Sequence, residues 1–263
     1  MVILILPMYN ERSSVPVLRR QLVGVGATSI DMVIPVNDGS RDNTLSLLEE
    51  WRREESRLQI VSYTPNRGLP GACTAGFVAA LETGAGADKD DVLITMDSDA
   101  SHPMDLIPAM VAKVKEGNDI VIASRHQPGA SQRGLTVDRK MFSWGASTLM
   151  RLFYPVTGLH DYSTNYRAYR ASLIKEALDK SGGRLVESTG FVGVVELLLR
   201  LCSLGPKIAE VPLNLRYDLK ESESKMRVGK TIRGYLNLIG KDKVRSAAGT
   251  CLPLLNARGR QFS

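Results

Sequence analysis

Short apolar runs alternate with helical patterns through the first half of the chain. The runs are four to six residues long, consist mostly of β-branched residues and Leu, and end at polar or turn residues. These features predict buried strands. We expect the strands at 2–6, 32–36, 58–63, 92–96 and 120–123.

Helical segments fill the intervals between these strands, at 15–25, 44–55, 71–81 and 106–115. Regular alternation of strand and helix is typical of an α/β fold with a doubly wound, mostly parallel sheet and helices on both faces. Such sheets bind their ligands at the carboxyl ends of the strands. The chemistry of this protein is therefore expected where the predicted strands end.

The alternation becomes irregular after Arg125. The polar, Gly-containing segment 126–139 is predicted to be a mobile loop. Further helices are expected at 141–153, 171–180 and 191–202, and short strands at 208–211 and 213–217.

A basic, amphipathic segment ends the chain. From 225 to 263 there are nine Lys or Arg residues and one acid, so the net charge of +6 comes from this tail. Its apolar positions follow helical spacing at Val228, Ile232, Tyr235, Leu236 and Ile239. Two interpretations stay open: the stripe packs on the domain, or the helix binds an anionic partner such as a lipid headgroup, a phosphate or a nucleic acid.

Length and composition are those of a globular protein. The chain has 263 residues, 43% hydrophobic and 24% charged, which predicts one large domain or one domain with an appendage. Its three cysteines include no C-x-x-C pair, which argues against a disulfide framework or a thiolate zinc site and favours a cytoplasmic protein. No apolar run reaches the roughly 18 residues of a membrane span, and the apolar start lacks the basic leader of a signal peptide.

Two carboxylates at the end of the fourth strand give the sharpest functional prediction. Asp97 and Asp99 are two positions apart, so they point the same way if the strand continues. Such an oxygen pair suits Mg²⁺ or Mn²⁺, with phosphate oxygens completing the coordination shell. The alternative is that one aspartate caps the following helix and the other is solvated.

Polar residues also follow the other strands, and together these motifs resemble one family. The motifs are Pro7-Met8-Tyr9-Asn10-Glu11, Val36-Asn37-Asp38-Gly39-Ser40, Asn66-Arg67-Gly68 and Asp97-Ser98-Asp99. In order and spacing they resemble the family-two glycosyltransferases of GT-A fold. Within that family, the chain resembles the dolichol- or polyprenol-phosphate mannose synthases through residues such as those of Ala123-Ser124-Arg125 and Glu210-Val211-Pro212.

The resemblance implies a nucleotide-sugar site and assigns roles to residues of this chain. Asp99 and Arg125 match catalytic positions, and Asp97 and Asp99 match the metal ligands for Mg²⁺ or Mn²⁺. The donor and phosphate positions are Pro7, Tyr9, Glu11, Val36, Asp38, Asp97, Ser98, Asp99, Ser101, Arg125, Arg216 and Lys225.

The resemblance also implies a division of the chain. Residues 1–227 are expected to form a single GT-A domain, with a nucleotide-sugar half at 1–125 and an acceptor half at 126–227. Residues 228–263 are expected to be the basic amphipathic tail.

This sequence departs from the family pattern at three places. Asn37-Asp38 stands where the family usually has Asp-Asp, and Thr164-Asn165-Tyr166-Arg167 stands where it has Ser-Gly-Phe-Arg. About three extra residues lie between Arg216 and Lys225, next to the expected acceptor site. These departures leave the sugar and the acceptor open.

The predicted function is that of an inverting, metal-dependent glycosyltransferase. It moves a hexose, mannose from GDP-mannose, to a polyprenyl phosphate, with peripheral contact to an anionic membrane at its cytoplasmic face and with no nucleic-acid partner. One alternative is an enzyme of the same fold that uses a UDP-sugar and a saccharide or other hydroxyl acceptor, with Glu196 or Asp161 as the base. A second alternative is a non-catalytic binding protein that keeps the fold.

Overall fold

The computed structural model describes residues 1–24, 29–134, 136–219 and 228–247. The strands are β1 (Val2–Met8), β2 (Met32–Asp38), β3 (Val61–Tyr63), β4 (Val92–Thr95), β5 (Ile120–Ser124), β6 (Ser131–Arg133), β7 (Arg167–Arg170), β8 (Ile208–Pro212) and β9 (Asn214–Arg216). The helices are α1 (Val15–Gly24), α2 (Thr44–Glu54), α3 (Gly68–Glu82), α4 (Ile107–Lys115), α5 (Val137–Phe153), α6 (Ala171–Lys180), α7 (Gly190–Cys202) and α8 (Val228–Ala247).

The central sheet has seven strands in the order β3-β2-β1-β4-β7-β5-β8. All of its strand pairs are parallel except the two made by β7, which runs antiparallel to both β4 and β5. The expectation of a mostly parallel α/β sheet is therefore confirmed. The sequence analysis missed β7, because its Arg-Ala-Tyr-Arg sequence has neither an apolar run nor a clear alternation.

Helices cover both faces of this sheet, and the side chains of β1 show why. Ile3 and Ile5 belong to one buried apolar cluster, whereas Leu4 and Leu6 belong to another. Successive side chains of a strand point to opposite faces, so a strand that is apolar throughout must be covered on both sides. Residues of α3, α6, α7 and α8 complete the first cluster, and residues of α1, α2 and α4 complete the second.

The segment predicted to be a mobile loop, 126–139, is partly regular structure, so that prediction is wrong in part. β6 lies within it and pairs in parallel with β9, about eighty residues further along the chain. The following helix, α5, begins at Val137 rather than at 141. Pairing with a distant strand is a tertiary contact, so local sequence carries little trace of it.

The tail helix α8 packs on the domain through part of its apolar stripe. Tyr235 and Ile239 are buried with the first cluster, as is Leu238, which the stripe did not include. Ile232 and Leu236 of the predicted stripe are instead 44% and 55% exposed. Among the residues described, no helix combines the length and the apolar character needed to cross a membrane.

Candidate active site

One cavity of about 260 Å³ lies at the carboxyl ends of β1, β2 and β4. Seven of the residues assigned from the sequence line it: Pro7, Tyr9, Glu11, Asp38, Asp97, Ser98 and Asp99. Helix starts supply further lining residues that the sequence analysis did not assign: Leu69 and Ala72 from α3, and Gly190 and Phe191 from α7. The parallel sheet thus gathers the ends of its first, second and fourth strands at one site, as doubly wound sheets do.

The segments that follow β1 and β2 are joined by hydrogen bonds from backbone amides to side-chain oxygens. The amide of Asn10 donates to Ser40 Oγ at 3.0 Å, and the amide of Arg41 donates to Asn10 Oδ1 at 2.8 Å. The amide of Glu11 donates to Thr44 Oγ1 at 2.9 Å. Asn10 has a positive φ of 52°, which Asn tolerates better than most residues. These bonds fix the wall of the cavity that carries Glu11.

Asp38 is held by the loop after β3. Its Oδ1 accepts a hydrogen bond from the amide of Arg67 at 2.7 Å, and its carbonyl accepts one from Asn66 Nδ2 at 2.7 Å. Gly39 follows with a φ of 68°, and a Cβ there would stand 3.0 Å from the amide nitrogen of Asn66. Glycine is therefore needed at this turn for both backbone conformation and space.

The Asp97-Ser98-Asp99 motif is oriented by its neighbours. Ser98 Oγ donates to the carbonyl of Pro7 at 2.7 Å, which joins the end of β4 to the end of β1. Asp99 Oδ1 accepts from Ser101 Oγ at 2.6 Å and from the amide of Ser101 at 3.1 Å. Asp97, Ser98 and Asp99 all line the cavity, although β4 ends at Thr95 and the strand does not continue through the motif.

Asp97 has a partner that comes from a departure from the family pattern. Asn165 Nδ2 donates to Asp97 Oδ1 at 3.2 Å, and the carbonyl of Asn165 accepts from Thr95 Oγ1 at 2.7 Å. The family resembled by the sequence has Gly at this position, which has no side chain to offer. Asn165 is almost fully buried, so it holds Asp97 from inside the protein.

The pair Asp97 and Asp99 fits a divalent cation that arrives with a phosphate group. Within the described ranges, no group of three or more His, Cys, Asp or Glu side chains could hold a metal ion. Mg²⁺ is commonly bound by only one or two carboxylates together with substrate phosphates and water. Two carboxylates that share a cavity meet that requirement.

Arg125 is held by Asp161 in a two-pronged ion pair. Its Nε and Nη2 donate to Asp161 Oδ2 and Oδ1 at 2.8 and 2.7 Å, and Nη2 also donates to Ser163 Oγ at 2.6 Å. Burial alone would raise the pKa of the Asp161 carboxyl, but the adjacent guanidinium holds this pKa far below its usual value. Burial likewise opposes the charge of Arg125, yet Asp161 raises the pKa of Arg125. Both groups are therefore charged.

Glu210 orients this ion pair by binding the backbone next to Asp161. Its side chain is 1% exposed, and its Oε1 accepts from the amides of His160 and Asp161 at 2.6 and 2.8 Å. Its Oε2 accepts from Gln127 Nε2 at 2.8 Å. Glu210 thereby fixes the turn that carries Asp161, and through Asp161 it fixes Arg125.

Of the other residues assigned from the sequence, Val36, Ser101, Arg125 and Arg216 lie outside the cavity lining. Val36 is fully buried in the core, near Gly76 of α3, and the structure does not bring it to the cavity. Ser101 is buried behind Asp99, and Arg216 lies on β9 with its side chain 40% exposed. Lys225 lies outside the described residues.

Glu196, which the sequence analysis considered as a base, accepts hydrogen bonds from the backbone. Its two oxygens accept from the amides of Glu187 and Ser188 at 3.0 and 2.8 Å, and it pairs with Arg200 at 3.3 Å. The side chain is 4% exposed. Glu196 therefore stabilises the turn before α7.

The fold and the site together define the class of this protein. A mostly parallel sheet covered on both faces, with paired aspartates in a cavity at its strand ends, is the arrangement of an open α/β protein that binds its ligand at the carboxyl ends of the strands. The model of the family described as glycosyl transferase family 2 matches residues 3–178, more than half of the chain. The chain therefore belongs to glycosyl transferase family 2 and is a glycosyltransferase. This finding confirms the family, the enzyme class and the fold predicted from the sequence.

Curated relatives share most of the chain. An undecaprenyl-phosphate mannosyltransferase from Micrococcus luteus is 34% identical over 228 residues, covering 87% of this chain and 88% of that protein. A polyprenol monophosphomannose synthase from Mycolicibacterium smegmatis is 32% identical, covering 80% and 76%. A dolichol-phosphate mannosyltransferase from Pyrococcus furiosus is 28% identical, covering 89% of this chain and 61% of that protein.

Solved structures share the fold at low sequence identity. Glucosyl-3-phosphoglycerate synthase from Mycobacterium tuberculosis, in complex with Mn²⁺, UDP and glucosyl-3-phosphoglycerate, superimposes with a TM-score of 0.60 and 17% identity. The match covers 95% of this chain and 80% of that chain. The same enzyme with Mn²⁺ and UDP-glucose gives a TM-score of 0.61.

Proposed function

We propose that the enzyme transfers mannose from GDP-mannose to a polyprenyl phosphate, with inversion at the anomeric carbon. The observation that carries this proposal is the shared cavity of Glu11, Asp38, Asp97 and Asp99, in a chain whose relatives named above are polyprenyl- or dolichyl-phosphate mannosyltransferases. The cavity offers carboxylates for a nucleoside at one end and for a metal-bound diphosphate at the other.

Asp97 and Asp99 are the proposed ligands of Mg²⁺ or Mn²⁺, which when bound supplies positive charge to the diphosphate. Arg125 adds a second positive charge, and Asp161 holds its guanidinium in place. An acceptor phosphate oxygen forms a bond to C1 of the mannose while the bond from C1 to the diphosphate breaks. The electron pair of the broken bond leaves with GDP, whose growing negative charge these cations stabilise.

The acceptor is proposed to be a phosphate because the residues considered as a general base are committed to other partners. A hydroxyl acceptor needs a base near its proton. Asp161 is bound to Arg125, and Glu196 is bound to the backbone before α7. A phosphate acceptor is already ionised at neutral pH and gives up no proton, so it suits a site in which these two carboxylates are engaged.

Contact with an anionic membrane is proposed for two adjoining helices. On α5, Met141, Trp144 and Leu152 are 67%, 61% and 75% exposed and follow helical spacing along one face. On α8, which touches α5, Ile232 and Leu236 are exposed at i, i+4 spacing. Arg233 and Lys241 are exposed on α8 and supply charge for anionic headgroups. Because the proposed acceptor is a lipid, this membrane contact would bring the enzyme to its substrate.

The donor and metal are tested first by thermal unfolding with GDP, UDP and their sugar conjugates, each with and without Mn²⁺. A ligand that binds only the folded protein stabilises it by about 2.7 kcal/mol at a hundred times its dissociation constant. We expect a metal-dependent shift with GDP-mannose, followed by formation of mannosyl lipid from polyprenyl phosphate. A shift with UDP-sugars alone would overturn the GDP-mannose assignment, and no shift with any nucleotide would overturn the assignment of the cavity as the donor site.

Membrane contact is tested through the fluorescence of Trp144. The chain has two tryptophans, and Trp51 is only 2% exposed, so it serves as an internal background. We expect vesicles with anionic, brominated lipids to quench Trp144, and the paired substitution Ile232→Ser with Leu236→Ser to weaken vesicle binding. Val23→Ser on α1 is the matched control, because Val23 is 70% exposed on another helix. Unquenched fluorescence on anionic vesicles would overturn this part of the proposal.

A further inference from the structure

The small sheet of β6 and β9 carries two arginines on one exposed face. Ser131 is in register with Asn214, and Arg133 is in register with Arg216. Ser131 Oγ donates to Asn214 Oδ1 at 2.9 Å, so these two side chains lie on the same face. Side chains alternate along a strand, which places Arg133 and Arg216 on that face as well. Leu215 points to the opposite face and is buried.

This face is fastened directly beside the active site. The amide of Arg216 donates to the carbonyl of Ser101 at 2.9 Å, and Ser101 is the residue that holds Asp99. Leu213, just before β9, donates its amide to the carbonyl of Ser124 at 2.9 Å. β9, which carries Arg216, is therefore bonded to both the loop of Asp99 and the strand end before Arg125, and its pairing with β6 places Arg133 beside Arg216.

Their pairing is electrostatically unfavourable without an anion. Like charges directly opposite each other on paired strands are destabilising. Asp218 offsets one of them, since Arg216 Nε and Nη2 reach its carboxylate at 3.0 and 2.8 Å. That bonding to Arg216 lowers the pKa of Asp218, and the charge of Arg133 lowers it further. Two cations thus share one carboxylate.

The backbone is shaped to hold that carboxylate in place. Gly134, which follows β6, has a φ of 76°, and a Cβ there would stand 2.6 Å from the amide nitrogen of Asp218. Glycine lets the end of β6 lie directly against Asp218, which keeps Arg133 close to the same carboxylate.

We propose that Arg133 and Arg216 bind the phosphate of the polyprenyl acceptor, with Asp218 as the resident anion that the phosphate replaces. This inference rests on the proposed function and names the residues that recognise the acceptor. Arg133 belongs to no motif that the sequence analysis used. A guanidinium binds phosphate oxygens in a two-pronged geometry, so a pair of arginines suits a dianion beside the reacting carbon.

The test compares Michaelis constants of variants of the full chain. Loss of one charge-assisted contact weakens binding about tenfold, so Arg133→Gln should raise the KM for polyprenyl phosphate about tenfold and leave the KM for GDP-mannose unchanged. Asp218→Asn removes the competing carboxylate and should lower the KM for the acceptor. Arg52→Gln is the matched control, because Arg52 is exposed and paired with Glu49 on α2, away from the site.

Each outcome separates this inference from the proposed function. If the unaltered enzyme forms no mannosyl lipid, the proposed function fails. If it does, and Arg133→Gln melts at the normal temperature with an unchanged acceptor KM, the inference is overturned. A change in the donor KM instead would show that Arg133 serves the donor diphosphate, which also overturns it. A weaker salt dependence of acceptor binding in Arg133→Gln would support it, since one ionic contact is gone.

Discussion

Two parts of the site hold their charged groups in opposite ways. The cavity at the strand ends is called the donor side for its proposed role, and the Arg125–Asp161 pair with the small sheet of β6 and β9 is called the acceptor side for its proposed role. On the donor side, Asp97 and Asp99 line an open cavity and accept hydrogen bonds from Asn165 and Ser101. On the acceptor side, Asp161 is completely buried and its charge is matched by a cation, Arg125. The donor carboxylates thus remain accessible to a cation from solution, whereas the acceptor carboxylate serves to hold a protein cation.

Because of this difference, removal of a carboxylate should affect activity and stability differently on the two sides. Removing a cavity-lining carboxylate should cost catalysis more than folding, because that carboxylate faces a cavity rather than a buried cation. Removing a buried, paired carboxylate should cost both, because it leaves an uncompensated charge inside the protein.

The largest effect is expected for Asp161→Asn. Breaking a buried ion pair by removing one partner costs about 3–5 kcal/mol, so the free energy of unfolding should fall by that order and activity should fall with it. Chemical denaturation at pH 7 measures the free energy of unfolding, and an assay of mannosyl transfer measures the activity. An Asp161→Asn protein of normal stability would contradict the assigned role.

The pH dependence of that effect has a definite sign. The pKa of Asp161 is depressed in the folded protein, so its stabilising contribution is present above the unfolded pKa, near 3.9, and is lost as the pH falls further. The difference in unfolding free energy between the unaltered protein and Asp161→Asn should therefore be constant from pH 7 to about pH 5 and shrink below about pH 4. A difference that grows on acidification would contradict the ion pair.

Asp97→Asn is expected to act on catalysis alone. Loss of this proposed metal ligand should lower turnover at least about 100-fold, equivalent to about 2.7 kcal/mol, while the melting temperature changes little. Asp179→Asn is the control, because Asp179 is exposed on α6. A large drop in melting temperature for Asp97→Asn would erase the contrast between the two sides of the site.

The smallest effects are expected at two helical glycines, Gly76 in α3 and Gly145 in α5. A Cβ at Gly76 would stand 2.3 Å from Ile5 Cγ2 and 3.2 Å from Val36 Cγ2, so Gly76→Ala should destabilise by about 1–3 kcal/mol through overpacking. Gly145, in α5, has nothing within 4 Å of such a Cβ, so Gly145→Ala should stabilise by about 0.5–1 kcal/mol. The melting temperatures of the two variants are compared by thermal unfolding. Equal changes in melting temperature would contradict the packing described for α3.

The carboxylates of the donor side could be predicted because they lie at or just after strand ends. Asp38 ends β2 and Asp97 follows β4 by two residues, and strand ends meet at one edge whenever the sheet is parallel. Val36 shows the limit of that argument. It stands two residues before Asp38, but its side chain points into the core, and sequence position alone did not distinguish the two.

The acceptor side was less predictable because its contacts join distant parts of the chain. Gln127 meets Glu210 across 83 residues, and Arg125 meets Asp161 across 36. β6 and β7 have sequences with little strand character, and they become strands because neighbouring strands offer them hydrogen-bond partners. For the same reason Arg133 was not recognised until β9 placed it beside Arg216.

The sequence by itself determined the alternating α/β pattern, the family and the carboxylates of the donor site. Those features depend on local periodicity and on motifs that follow strands. Both can be recognised in the sequence without knowledge of the fold. Only the tertiary structure decided which face of α8 is buried, which carboxylates are bound by other groups, and which arginines stand side by side. These depend on the packing of segments far apart in the chain, where burial and pairing, rather than residue type, set the properties of a charged group.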